Sequence, residues 1–249
     1  MSEELNRERR RLVGLAQRFG LPQTVAGEPF PPSQEGAPLI VDTDVGGPDG
    51  AVALVVAATE PALALVITAN DGRARFVRHL LDRLGRTDVP VVAGPVLHAE
   101  SPRPAEAVAR VVASADGPVR WAGLGPATNI AALLTGNPAL AARLVVTQEV
   151  SVPNFRRDPA AAKALLTGGN LPKLVLPDTV QEPEASRSPD GLTLATALQL
   201  PFVALRRERV VLDDTGRPVA GPDGDLARIS VKVNHRAFRV WLTSRLRIG

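Results

Sequence analysis

Short apolar runs alternate with longer segments of helical periodicity along most of the chain. Apolar runs that predict buried strands lie at 39–41, 63–68, 89–94, 119–122, 144–147 and 174–176. Segments with helical spacing lie at 51–58, 76–84, 105–115, 130–134, 139–142, 158–166 and 190–200. This alternation is typical of parallel strands joined by right-handed crossovers. We therefore predict an α/β fold with an open, mostly parallel, doubly wound sheet and helices on both faces.

The two ends of the chain depart from this pattern. Residues 3–19 have apolar side chains near helical spacing, and residues 21–37 contain four prolines and two glycines. We therefore predict an N-terminal helix and a Pro-rich linker over 1–37, followed by one domain over 38–249. The helix either packs on its own domain or contacts a partner. Near the other end, the runs 209–212 and 229–233 predict a small antiparallel hairpin, and 237–246 a closing helix.

Composition excludes several classes of site and partner. The absence of cysteine rules out a disulfide framework and a zinc–thiolate site. A net charge of only +3, an aromatic content of 3% and the absence of tyrosine argue against a nucleic-acid partner. We find no signal peptide and no run near the ~20 apolar residues of a membrane span, so we expect a cytoplasmic protein without a membrane partner. Abundant Ala, Arg, Gly and Pro indicate a bacterial source.

One stretch, residues 38–51, concentrates the candidate chemistry. The apolar run at 39–41 ends in Asp42 and Asp44, and a Gly/Pro turn then leads into a helix. In open α/β sheets, ligands bind outside the carboxyl ends of the strands, where both carboxylates are expected. Two acids at that edge suit a metal ion, a sugar hydroxyl or proton transfer. The alternative is a turn whose aspartates cap the helix.

Four motifs, taken in order, resemble the calcium-dependent nucleoside hydrolases of the inosine-uridine type. They are Asp42-Thr43-Asp44 with its following Gly and Asp, residues 85–91 (Gly-Arg-Thr-Asp-Val-Pro-Val), residues 125–131 (Gly-Pro-Ala-Thr-Asn-Ile-Ala), and Asn154-Phe155 before Asp158-Pro159. Their order and spacing hold from about residue 38 to 203. The resemblance implies a doubly wound α/β sheet, homo-oligomers, and hydrolysis of the N-glycosidic bond of ribonucleosides.

The resemblance also implies roles for individual residues. The metal set would be Asp44, as calcium ligand and catalytic base, the carbonyl of Thr128, and Asp42 as a supporting acid. The substrate-binding set would be Asp49, Asn70, Asn154 and Arg156. The family uses three ligand aspartates and one threonine carbonyl, so this chain retains only part of the set.

The missing ligands lie at two places. The turn after Asp44 is one residue longer than the family pattern, so either Asp49 contacts the sugar and Gly50 replaces a ligand, or Asp49 is that ligand and the sugar contact is lost. The family's late His-Asp pair, which precedes a Pro and an apolar helix, corresponds to Gln199-Leu200. Leu200 cannot bind calcium, and Gln199 cannot act as the leaving-group acid that the histidine suggests.

Charge then decides among the functions that the resemblance allows. With Asp44 as the one certain carboxylate, a charge of −1 would face +2, and losing charged ligands weakens calcium sites by orders of magnitude. We therefore expect a vestigial metal site, no resident cofactor, and a nucleoside hydrolase-like protein that binds a ribosyl ligand or a protein partner without normal calcium-dependent hydrolysis.

Two alternatives stay open at this point. One is an active calcium enzyme whose missing ligands come from other loops, such as Asp178, Glu182 or Glu184. The other is a metal-independent N-glycoside enzyme that uses Asp44 or Asp49 as acid or base. In that enzyme Arg156 would hold an anionic group of the substrate.

Overall fold

The computed structural model describes residues 34, 36–94, 104–176, 179 and 188–246. Nearly all of the predicted N-terminal helix and linker lies outside the described residues, as do Asp178, Glu182 and Glu184. The chain from Gln34 onward groups as one compact unit. Among the described residues, no helix combines the length and apolarity that crossing a membrane requires.

Nine strands and nine helices are described. The strands are β1 (Leu39–Thr43), β2 (Leu63–Thr68), β3 (Val91–Ala93), β4 (Val119–Gly123), β5 (Leu144–Glu149), β6 (Lys173–Val175), β7 (Val203–Leu212), β8 (Pro218–Ala220) and β9 (Asp225–Val233). The helices are α1 (Pro48–Ala58), α2 (Asp71–Arg83), α3 (Pro104–Ala113), α4 (Thr128–Gly136), α5 (Pro138–Ala141), α6 (Val152–Arg157), α7 (Pro159–Thr167), α8 (Pro189–Ala197) and α9 (His235–Leu246). The six-residue helix α6 is too short to show in the periodicity of the sequence.

All nine strands form one sheet in the order β3-β2-β1-β4-β5-β6-β9-β7-β8. Every pairing from β3 to β9 is parallel, and β7 pairs antiparallel with both β9 and β8. The predicted α/β fold is confirmed. The predicted hairpin also forms, but its strands are longer than expected and continue the main sheet through the β6–β9 pairing. The strand order reverses between β1 and β4, which is where such sheets bind ligands.

The sheet is buried on both faces because successive side chains of a strand point in opposite directions. In β1, Leu39 and Val41 pack in one cluster with residues of α1, α2 and α8. Ile40 packs on the other face, with Trp121 of β4 and residues of α3, α4 and α7. The apolar run at 39–41 therefore serves two cores, and helices cover both faces as predicted.

The motif at 85–91 has a structural explanation. Gly85 adopts a φ of +72°, which glycine tolerates, at the turn that follows α2. The Arg86 guanidinium donates hydrogen bonds to the carbonyl oxygens of Ala58 (2.7 Å), Glu60 (3.0 Å) and Leu63 (3.2 Å). These bonds satisfy carbonyls at the end of α1 and the start of β2, so this motif supports the sheet.

Candidate functional site

The carboxyl ends of β1, β4 and β5 meet at the switch point and bring residues of the predicted motifs to one crevice. Asp44 directly follows β1, and Glu149 ends β5. Gly125, after β4, approaches Asp44 closely, because a Cβ on Gly125 would lie 3.1 Å from the Asp44 backbone nitrogen. The crevice edge therefore depends on a glycine at this position.

Asp44 is held by one backbone group and one arginine. Its Oδ1 accepts a hydrogen bond from the Gly46 N–H at 3.0 Å, and its Oδ2 pairs with Arg157 Nη1 at 3.0 Å. The Asp44 side chain is 19% exposed, whereas that of Arg157 is 62% exposed. The carboxylate that the resemblance makes both ligand and base is therefore neutralised by a cation from the end of α6.

The turn after Asp44 contains a strained residue. Val45 is buried and β-branched, yet it adopts a φ of +44°, a conformation that costs roughly 1–3 kcal/mol in such residues. Its N–H donates to Thr43 Oγ1 at 3.0 Å, and its carbonyl accepts from Arg73 Nη1 at 3.1 Å. These two contacts stabilise the strained turn and so fix the direction of the chain after β1, at Asp44.

Asp49 ties the start of α1 to the start of α8. Its Oδ1 accepts a hydrogen bond from the Ser188 hydroxyl, and its Oδ2 accepts from the Asp190 N–H at 3.1 Å. Burial raises the pKa of the Asp49 carboxyl. A Cβ on Gly50 would lie 3.2 Å from Asp190 Oδ2. The carboxyl of Asp190 thus lies in the space beside Gly50, where the sequence had left a ligand missing.

Asp190 is a site residue that sequence reasoning missed. The resemblance implies an aspartate before an apolar helix, and the sequence pattern puts Leu200 at that position. In the structure, Leu200 packs against an apolar cluster that contains Phe238, and Gln199 Oε1 accepts from the Gln34 N–H at 3.0 Å. Asp190 opens α8 instead. The sequence does carry a signal for this residue, because Asp190 is the first residue of the helix predicted at 190–200. The Pro and Gly on either side of Asp190 obscure that signal.

Glu149 is a second missed acid. It is 2% exposed, and its Oε2 accepts a hydrogen bond from Asn154 Nδ2 at 2.7 Å. The Ser151 hydroxyl also bonds to it, yet burial, reinforced by the charges of Asp49 and Asp44, raises the pKa of Glu149 to about 7. The predicted site residue Asn154 therefore does lie at the crevice, where it orients a carboxyl group from β5.

Asp42 and Thr128 have supporting roles. Asp42 is buried, and its Oδ1 accepts a hydrogen bond from Asn129 Nδ2 at 2.9 Å, while its Oδ2 has no partner among the described residues. Burial raises the pKa of Asp42 to about 7. The Thr128 hydroxyl donates to Asp158 Oδ2 at 2.8 Å. Asp158 also accepts from the Ala161 N–H, so this contact fastens α4 to the junction of α6 and α7.

Two predicted substrate-binding residues have other contacts. Asn70 caps α2, because its Oδ1 accepts a hydrogen bond from the Arg73 N–H at 3.0 Å. The stem of Arg156 lies near Gly216, in the turn after β7, since a Cβ on that glycine would be 3.6 Å from Arg156 Cγ. The cation that reaches Asp44 is therefore Arg157, its neighbour, rather than Arg156.

The crevice contains more acid than the sequence suggested. Asp190 has its pKa raised to about 8, first by burial and then by the charges of Asp49, Glu149 and Asp44. Four carboxyl groups thus interact at one edge of the sheet, and the buried Asp42 interacts with one of them, Asp44. Two of these acids, Glu149 and Asp190, were not among the residues that the sequence identified, and Arg157 pairs with a third, Asp44.

The donor set does not fit calcium as it is arranged. Calcium requires six to eight oxygen ligands. The oxygens of Asp44 and Asp49 already accept hydrogen bonds from protein groups. In the part of the chain that the structure describes, no three Asp, Glu, His or Cys side chains are grouped so that they could hold a metal ion. The geometry instead suits hydrogen bonding to a polar ligand.

Among known proteins, those similar to this chain include nucleoside hydrolases. No family model matches the chain. It is 33% identical over 147 residues to the pyrimidine-specific ribonucleoside hydrolase RihA of Enterobacter sp. (strain 638), covering 44% of this chain and 47% of that protein. It is 30% identical over 179 residues to RihA of Klebsiella pneumoniae (strain 342), covering 53% of this chain and 57% of that protein. The chain spans about half the length of the curated relatives it matches.

A solved structure shares the fold. The inosine-uridine preferring nucleoside hydrolase from Bacillus anthracis superimposes with a TM-score of 0.74 at 14% sequence identity, covering 86% of this chain and 100% of that chain. At this identity the match shows the fold alone. The sequence matches show that part of this chain is similar to ribonucleoside hydrolases, and the structural match shows that its fold is that of a nucleoside hydrolase.

Proposed function

We propose that this protein binds a ribosyl group at the carboxyl edge of its sheet without resident calcium, as a nucleoside hydrolase-like protein that does not carry out calcium-dependent hydrolysis. The observation that supports this most strongly is the 3.0 Å contact between Arg157 Nη1 and Asp44 Oδ2. The Arg157 guanidinium is bound to the carboxylate of Asp44, which the resemblance makes both a calcium ligand and the catalytic base.

The remaining acids suit hydroxyl groups. Asp42, Glu149 and Asp190 have pKa values raised to about 7, 7 and 8, so protons carry part of the charge balance at neutral pH. A carboxyl group can both donate to and accept from a sugar hydroxyl. The Asp190 carboxyl lies beside Gly50 and interacts with the charges of Asp49, Glu149 and Asp44. Ribose offers vicinal hydroxyls that match such a set.

Hydrolysis of the family type is disfavoured by the same geometry. A bound metal ion lowers the pKa of the water that it coordinates, whereas free water gives up a proton much less readily. Without that ion, Asp44 would have to remove a proton from an ordinary water while paired to Arg157. The Asp44 carboxylate is therefore better suited to hold a ribosyl group than to activate water.

One observation favours a second candidate, metal-independent cleavage of an N-glycoside. Glycoside hydrolysis uses one protonated and one ionised carboxyl group on either side of the bond. Burial raises the pKa of Glu149 to about 7 and that of Asp190 to about 8, and both acids interact with the arginine-paired Asp44. Either acid could protonate the leaving base while Asp44 stabilises positive charge on the sugar.

Binding and release assays with and without EDTA test the proposal. We expect ribose, inosine or uridine to bind with the same affinity in EDTA, and Asp44→Asn to weaken that binding at least about tenfold, as loss of a charged hydrogen-bond partner does. Asp223→Asn removes an exposed acid in a distant turn and is the matched control. Base release that EDTA abolishes would contradict the proposal, and release that EDTA leaves unchanged would establish the second candidate.

Other expectations from the sequence stay predictions. They are the bacterial cytoplasm as the setting, a protein partner in place of a small ligand, and the homo-oligomer that the resemblance implies.

A further inference from the structure

We propose that Arg157 acts as a tethered cation that replaces the divalent ion at Asp44 and thereby prevents metal binding. This inference rests on the proposed function, because it explains why the site works without calcium. In this proposal, the role of α6 is to position the Arg157 guanidinium beside the Asp44 carboxylate.

Helix α6 is fixed on several sides, so the position of Arg157 is built into the fold. At its start, Ser151 Oγ accepts a hydrogen bond from the Asn154 N–H, and Asn154 in turn contacts Glu149. In its middle, Phe155 is completely buried in the core. At its end, Asp158 is bound by the Thr128 hydroxyl. The last residue of the helix, Arg157, is therefore aimed at the crevice.

The two side chains of the ion pair differ in their exposure to solvent. Asp44 is held in the crevice and its side chain is 19% exposed, whereas Arg157 reaches it from outside with a side chain that is 62% exposed. Ion pairs with one largely solvated partner contribute little to stability. Removing the guanidinium should therefore leave the fold intact and expose a carboxylate oxygen.

The surrounding acids would then favour a cation. The carboxyl of Asp190 lies in the space beside Gly50. Asp190 interacts electrostatically with Asp44, Asp49 and Glu149. With Arg157 gone, the Asp44 carboxylate would lose its cation partner and could offer Ca²⁺ the kind of hard oxygen ligand that this ion prefers.

Calorimetric titration with CaCl₂ tests the inference in three proteins: the wild type, Arg157→Gln and Arg156→Gln. We expect Arg157→Gln to bind Ca²⁺ at least about tenfold more tightly than the wild type, since calcium affinity follows the charge of the site. Arg156→Gln makes the same change in net charge one residue earlier, on a side chain that lies near Gly216, and should behave as the wild type. Adding Asp44→Asn to Arg157→Gln should remove the gain.

The outcomes separate this inference from the proposed function. If Arg157→Gln unfolds at the wild-type temperature but binds Ca²⁺ no more tightly, the inference is wrong while the proposed function stands. An equal gain in Arg156→Gln would show a general charge effect and would also overturn it. Micromolar binding by the wild type would contradict the proposed function itself.

Discussion

Replacing Phe155 by alanine is expected to lower the free energy of unfolding by about 3–5 kcal/mol, the usual cost of removing a buried aromatic ring. The Phe155 side chain is 0% exposed and packs in the core formed with α3, α4 and α7. Because it lies between Asn154 and Arg157 on α6, the cavity would also loosen the two contacts that this helix makes with Glu149 and Asp44. Urea unfolding measures the loss.

A matched control separates burial from residue type. Phe76 lies on α2 with 48% of its surface exposed, so Phe76→Ala should cost less than about 1 kcal/mol. If both variants lose a similar free energy of unfolding, α6 is not anchored as described. In the folded fraction, Phe155→Ala should also weaken ribose binding, whereas Phe76→Ala should not.

Replacing Asp190 by asparagine is expected to stabilise the protein at pH 8 by on the order of 2 kcal/mol, with little effect at pH 4. The pKa of Asp190 rises from 3.8 to about 8 on folding, first because of burial and then because of Asp49, Glu149 and Asp44. Between these values the folded protein holds a proton that the unfolded chain has released. Stability therefore falls as pH rises from about 4 to 8, and asparagine removes this contribution.

Unfolding free energies measured at several pH values between 4 and 8.5 check the prediction. The wild type should lose stability toward high pH more steeply than Asp190→Asn. Asp223→Asn, which removes an exposed acid from the turn before β9, should keep the wild-type slope. Equal slopes for all three proteins would mean that Asp190 ionises normally in the folded state.

Much of the fold could be predicted because its signals are local. The apolar run at 39–41 and its alternation with helical segments depend on neighbouring residues, and these predicted both the parallel sheet and its coverage by helices. Helix α2 begins at Asp71, five residues before the predicted start, because the Asn70 side chain caps it. Helix α6 was missed because six residues give too little periodicity.

The site was harder to predict because it is assembled by contacts between distant parts of the chain. Arg157 meets Asp44 across 113 positions, and Asp49 meets Ser188 across 139. Nothing near Arg156 or Arg157 in the sequence shows which of the two faces the crevice. Glu149 and Asp190 gain their importance only from the burial that the assembled sheet imposes.

A crystal structure grown in millimolar CaCl₂ at neutral pH tests the central claim most directly. We predict density for the Arg157 guanidinium against Asp44 Oδ2, with no ion between Asp44, Thr128 and Asp190. A cation bound to six or more oxygens at Asp44, with Arg157 turned out to solvent, would contradict the account.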